Sequence, residues 1–168
     1  MKKRILFILF LSFFYLNNVS ANNLAYLDLN YLLNNSLSGK NLIKNLEVLN
    51  NQNIEKLKKE QVTLNNERDN INKIKNIISS EELNNKISVL NEKLNKFQQK
   101  QDKMSQEFKQ KREEEIRNFF NKINPIIEKY MLDNSIDLIL KKENIFISKK
   151  NFDITNIIIE LINQNFTD

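Results

Sequence analysis

Leu83-Asn-Asn-Lys-Ile87-Ser-Val-Leu90-Asn-Glu-Lys-Leu94-Asn-Lys-Phe97 decides the fold. Its apolar side chains recur at alternating steps of four and three, and the series continues through Gln101 to Met104 and Phe108. That spacing is a heptad seam, a narrow apolar stripe on a helix whose other faces carry Lys, Glu, Gln and Asn. A lone helix with so thin a stripe has little to hold it together. The stripe therefore needs a second helix, and the preceding stretch supplies one: Leu42, Leu46 and Leu49 open it, then Leu57, Leu64, Ile71 and Ile78 follow at steps of seven. Between the runs stands Ser79-Ser80-Glu81-Glu82. Serine before glutamates marks a helix N-cap and a first turn favoured by the macrodipole. The pattern predicts an antiparallel coiled-coil hairpin over residues 40–132 with its tip near 78–82, each arm on the order of 60 Å long at ~1.5 Å per residue. Leu57, Leu64, Ile71, Leu83, Ile87, Leu90 and Leu94 are the expected seam.

Working outward, residues 1–21 read as a secretory signal peptide. Lys2, Lys3 and Arg4 precede an apolar run from Ile5 to Leu16, and Val19-Ser20-Ala21 offers small residues for cleavage near Ala21. Residues 22–39 and 133–168 are expected to form a small α/β body. In it, Leu24 to Leu29 reads as a strand, Asn30 to Ser38 as a short helix, Gly39 as a C-cap or joint, Ile136 to Leu140 and Ile145 to Ser148 as two further strands, and a last helix capped by Asp153 or Thr155 runs to Asn165. The fold class is mainly α (α+β). Three short strands bury too little to be secure alone, so the body is expected to self-associate through Leu24, Tyr26, Leu138, Leu140 and Phe146. On the second arm the heptad shifts by four after Phe108, a stutter, and Pro125 predicts a kink or break.

Composition narrows the chemistry. The 168 residues include no Cys, no His, one Gly and one Pro. Thiolate nucleophiles, Cys/His zinc sites, imidazole bases and a glycine-rich phosphate loop are excluded together. No cofactor is expected, and nothing places a carboxylate pair in a pocket, so the chain does not read as an enzyme. Residues 40–132 hold 19 basic and 14 acidic side chains, while the other residues from 22 onward hold 4 and 7. The arms are basic and the body acidic. Lys56, Lys58, Lys59, Lys109, Lys111 and Arg112 cluster, but Glu113, Glu114 and Glu115 follow at once, and no nucleic-acid partner is expected.

The order of the short elements Ser36-Leu37-Ser38-Gly39-Lys40, the helical hairpin, Asn124-Pro125-Ile126-Ile127, Ile136-Asp137-Leu138-Ile139-Leu140 and Phe152-Asp153-Ile154-Thr155 resembles the Skp/OmpH family of periplasmic chaperones over essentially all of the chain after residue 21. The resemblance implies a homotrimer whose three arms enclose a cavity for unfolded outer-membrane β-barrel proteins, without nucleotide. It implies a periplasmic location and transient contact with an anionic membrane surface; no lipopolysaccharide site is carried over. On that reading Phe97, Met104 and Phe108 are candidate client-binding residues, set against simple burial in the seam. Lys73, Lys75 and Lys86 near the tip are candidates for electrostatic steering of acidic clients. The competing reading is a structural or adaptor coiled coil of the cell envelope with one fixed partner.

Overall fold

The computed structural model describes residues 23–166, so the signal-peptide reading lies outside the described residues. The elements run β1 (Leu24–Leu27), α1 (Leu29–Asn35), α2 (Leu37–Ile74), α3 (Ser80–Asp133), β2 (Leu138–Lys141), two 3-10 turns (Lys142–Asn144 and Lys150–Phe152) and α4 (Thr155–Asn165). Helices α2 and α3 form the expected hairpin. Ser79 caps α3, its side chain accepting from the Glu82 N–H at 3.2 Å, with Glu81 and Glu82 in the first turn. At ~1.5 Å per residue α3 alone is about 80 Å long.

The body is built where the two ends of the chain meet. Strands β1 and β2 pair in parallel, Leu24 with Leu138 through Leu27 with Lys141. Ala25 and Leu27 point into a core completed by Leu32 of α1, Phe119 and Ile123 of α3, and Ile154, Ile158, Ile159 and Ile162 at and along α4. The base of α3 is thus part of the body core. Asp28 ties the pieces together. Its carboxylate accepts from the Tyr31 N–H at 2.8 Å and from Lys142 Nζ at 2.8 Å, while its own N–H donates to Thr155 Oγ1 at 2.9 Å. The lysine hydrogen bond, then the Tyr31 amide, hold the Asp28 carboxyl below its ordinary value.

Four sequence expectations about local structure are corrected. Ile145 to Ser148 is not a strand: the segment has no ladder partner among the described residues, and Phe146 and Ile147 stand in solvent. Among the described residues the sheet therefore has two strands, extended by an isolated bridge from Tyr26 to Asp153. Gly39 is neither cap nor joint. It lies in the first turn of α2, where Ser36 is the N-cap and accepts from the Gly39 N–H at 3.2 Å. Its role is steric, because a Cβ there would sit 2.0 Å from the Leu33 carbonyl oxygen of α1. Pro125 does not break α3. Asn121 and Pro125 both lie on the exposed face, so the carbonyl that loses its helical partner meets water, while Ile123, Ile126 and Ile127 hold the neighbouring turns against the core. Finally, α4 is capped at one remove: Asp153 Oδ1 accepts from the Thr155 N–H at 3.0 Å, and the cap position itself is Ile154.

Two outcomes check this packing. Glycine to alanine in a helix ordinarily stabilises by about 1 kcal/mol, but at Gly39 the clash reverses the sign. G39A is expected to lose about 1–3 kcal/mol in urea unfolding. Asp28, with its depressed value, contributes stability that is fully present above 3.8 and is lost as pH falls through the lower folded-state value. In D28N the acid limb of a stability-versus-pH titration should flatten, and an unchanged limb would contradict the role assigned to Asp28.

Candidate functional site

Most of the chain's length is arm, so the arm is the candidate site. Its register is written by two interhelical ion pairs one heptad apart, Lys93 Nζ to Glu67 at 2.7 Å and Lys100 Nζ to Glu60 at 2.5 Å. That register sets Leu57 opposite Met104, Leu64 opposite Phe97 and Ile71 opposite Leu90. Leu64, Ile71, Leu90 and Phe97 form one buried cluster, with Leu57 and Leu83 packed against it.

An ordinary heptad seam buries two positions per repeat; this one buries a single layer. Ile87 and Leu94, expected in the seam, are 41 % and 38 % exposed. The reason is their counterparts on α2. The companion positions are Gln61 and Arg68 there and Lys75 at the helix C-cap, which give an aliphatic side chain nothing apolar to close against. Phe97, a candidate client-binding residue, is 7 % exposed within the seam cluster, so in this conformation it offers no surface to a partner. Met104 and Phe108 are half-buried. Reasoning from sequence missed the opposite case: exposed Ile87 and Leu94 signal themselves only when the facing helix is read for polar companions at the same register.

The arm's core is separate from the body's. Along α2 no residue is buried between Leu46 and Leu64, and along α3 none between Phe97 and Phe119. The gap holds polar Asn50 to Asn53 on α2 and the charged run Lys109 to Glu115 on α3, and a cleft of about 380 Å³ floored by Leu42, Leu46, Leu49 and Phe119 opens on its body side. The stutter in the α3 pattern falls here. Few buried apolar contacts over so long a stretch make it the low-stability joint of the molecule.

At the tip, residues 75–79 form the reversal, and Ile77 is exposed. The steering candidates lie around it. Lys86 pairs with Glu82 one turn away at 3.4 Å, while among the described residues Lys73 and Lys75 have no carboxylate within salt-bridge reach. Several other arm charges form exposed i to i+4 pairs, such as Lys96–Glu92 and Lys111–Glu115, which add little stability singly. Of the assembly candidates, Leu24, Leu138, Leu140 and Phe146 are exposed, and Tyr26 is buried within the chain. Among the described residues no helix is long and apolar enough to cross a membrane.

A long basic hairpin carried on a small mixed body defines an arm-and-body protein of the tentacle type. The family model "Outer membrane protein (OmpH-like)" matches residues 23–162, and the chain belongs to that family, the Skp/OmpH kind of chaperone. No curated protein matches significantly. The chain shares its fold with the crystal structure of an OmpH-like protein from Caulobacter crescentus CB15, provisionally described as an outer membrane chaperone; the TM-score is 0.80 at 18% identity, over 88% of this chain and 87% of that one.

The single-layer seam makes a quantitative prediction. L90A removes a buried side chain and should cost about 2–4 kcal/mol in thermal unfolding of the arm. I87A removes a half-exposed one and should cost under about 1 kcal/mol. Equal losses would mean that both positions are packed in solution.

Proposed function

We propose that the chain is an ATP-independent holdase of the periplasm that assembles as a homotrimer and keeps unfolded outer-membrane β-barrel proteins from aggregating. The observation that carries the reading is the arm itself. A hairpin of this length buries one layer per heptad and leaves aliphatic side chains exposed beside a surplus of cations. Such a surface suits many weak contacts with a disordered chain, the kind a chaperone can release without nucleotide. Basic arms draw acidic clients at long range, and the attraction weakens as salt rises. Family membership supports the same reading and a periplasmic site of action.

Assembly is supported by the body's unsatisfied surface. Leu24, Leu138 and Leu140 share one face of the two-stranded sheet, and the Phe146-Ile147 segment beside it is apolar and uncovered. A second copy that pairs with β2 or with residues 145–148 would bury both. Oligomerisation is therefore assigned to Leu24, Leu138, Leu140 and Phe146, with Tyr26 bracing β1 from within its own chain. L138D should dissociate the oligomer, because an uncompensated charge would be buried in the shared core. The same position is half-exposed in the single chain, so the monomer fold should survive, and an unchanged mass in native mass spectrometry would reject the assignment.

Client capture is tested by diluting a urea-unfolded outer-membrane barrel protein into the chaperone without nucleotide while light scattering reports aggregation. Suppression is expected. Charge reversal of Lys73, Lys75 and Lys86 to Glu should slow capture more at low salt than at high salt; equal slowing at both would reject steering. Full aggregation beside a stable oligomer would favour a structural coiled coil with a fixed partner.

A further inference from the structure

The two flanks of the hairpin are chemically different. Residues three positions after each buried seam residue fall on one side of the stripe, and residues four after it on the other. The first flank is closed upon itself by Glu60–Lys100 and Glu67–Lys93. The second carries Ile54, Gln61 and Arg68 on α2 and Lys75 at its C-cap, facing Phe108, Gln101, Leu94 and Ile87 on α3. Here Leu94 lies across from Arg68 and Ile87 across from Lys75. Ile54 is also exposed. Among the described residues neither cation has a carboxylate within salt-bridge reach, and the Arg68 guanidinium only folds back on its own helix, donating to Asn65 Oδ1 at 3.0 Å.

We infer that this open flank is the track on which the arm holds its client, and that it selects extended segments placing a carboxylate next to an aliphatic or aromatic side chain. The inference rests on the holdase reading and adds to it a face and a client chemistry. Two heptad steps of about 10 Å each separate Ile54, Gln61 and Arg68 along α2. An extended chain covers one such step with about three residues. A segment lying along the flank would therefore meet an apolar patch and a cation in turn. The closed flank offers no such pairing, because its lysines are already neutralised by its glutamates. A client carboxylate there would have to break an existing ion pair. At the open flank it gains a cation that has none, beside an aliphatic side chain that the hairpin failed to bury.

The chain has no cysteine, so single labels report cleanly. L94C on the open flank and T63C on the closed one are each labelled with a polarity-sensitive fluorophore and mixed with a urea-unfolded outer-membrane barrel protein, with light scattering followed in parallel. The expected result is a blue shift and protection from iodide quenching at position 94 and little change at position 63. R68Q/K75Q should weaken capture about fivefold at low salt, the loss expected of two exposed charge contacts, and E92Q, at an exposed intrahelical pair, should not weaken it. Suppressed aggregation with protection at 63 equal to that at 94 would overturn the track while leaving the holdase intact. A label at 94 already protected before client is added would mean that a second copy covers the flank, and would also overturn it. Failure to suppress aggregation at all would remove the holdase reading and the track with it.

Discussion

One buried layer between α2 and α3 governs the molecule. Leu64, Ile71, Leu90 and Phe97 are the only buried side chains along the described length of the arm beyond the joint. Each is worth roughly 1.5–3 kcal/mol when fully buried, so the interhelical contact beyond the joint rests on very few side chains. The ion pairs Glu67–Lys93 and Glu60–Lys100 fix register rather than supply energy, since exposed pairs are worth about 0–1 kcal/mol each. The body has a denser core, drawn from both ends of the chain and from the base of α3. The arm thus depends on the body for anchorage and remains free of it along the joint.

This economy links structure to activity. A seam that buried both positions of each heptad would zip the arm shut and leave only a solvated charged surface. Replacing half of the α2 seam by Gln61, Arg68 and Lys75 weakens the zipper and exposes Ile87 and Leu94 beside cations. The same residue pattern therefore both loosens the arm and leaves aliphatic side chains exposed. The separation between arm core and body core is the stretch where packing restrains the arm least.

Much of this was legible in the amino-acid order because the signals are periodic. Steps of seven from Leu57 to Ile78, steps of four and three from Leu83, and the serine cap at the tip are backbone-level rules that tertiary context did not override. The body was harder to read. Ile145 to Ser148 has strand composition, yet a strand exists only where something pairs with it, and among the described residues nothing does. Gly39 looked like a joint because glycine most often frees the backbone; here its missing Cβ lets α1 and α2 meet. Phe97 and Ile87 illustrate the limit at the candidate site. Both lie on the apolar stripe of α3, and only the identity of the residue opposite, Leu64 for one and Lys75 for the other, decides which is buried.

The most direct test of the two-core arm is amide hydrogen exchange along α2 and α3, resolved by peptide mass spectrometry. The account predicts two slow blocks, one around Leu64 to Ile71 with Leu90 to Phe97 and one around Phe119 to Ile127, separated by fast exchange over residues 47–56 and 105–116. Uniform protection from the body to the tip would contradict it, and would mean that the arm is a continuous, fully packed coiled coil.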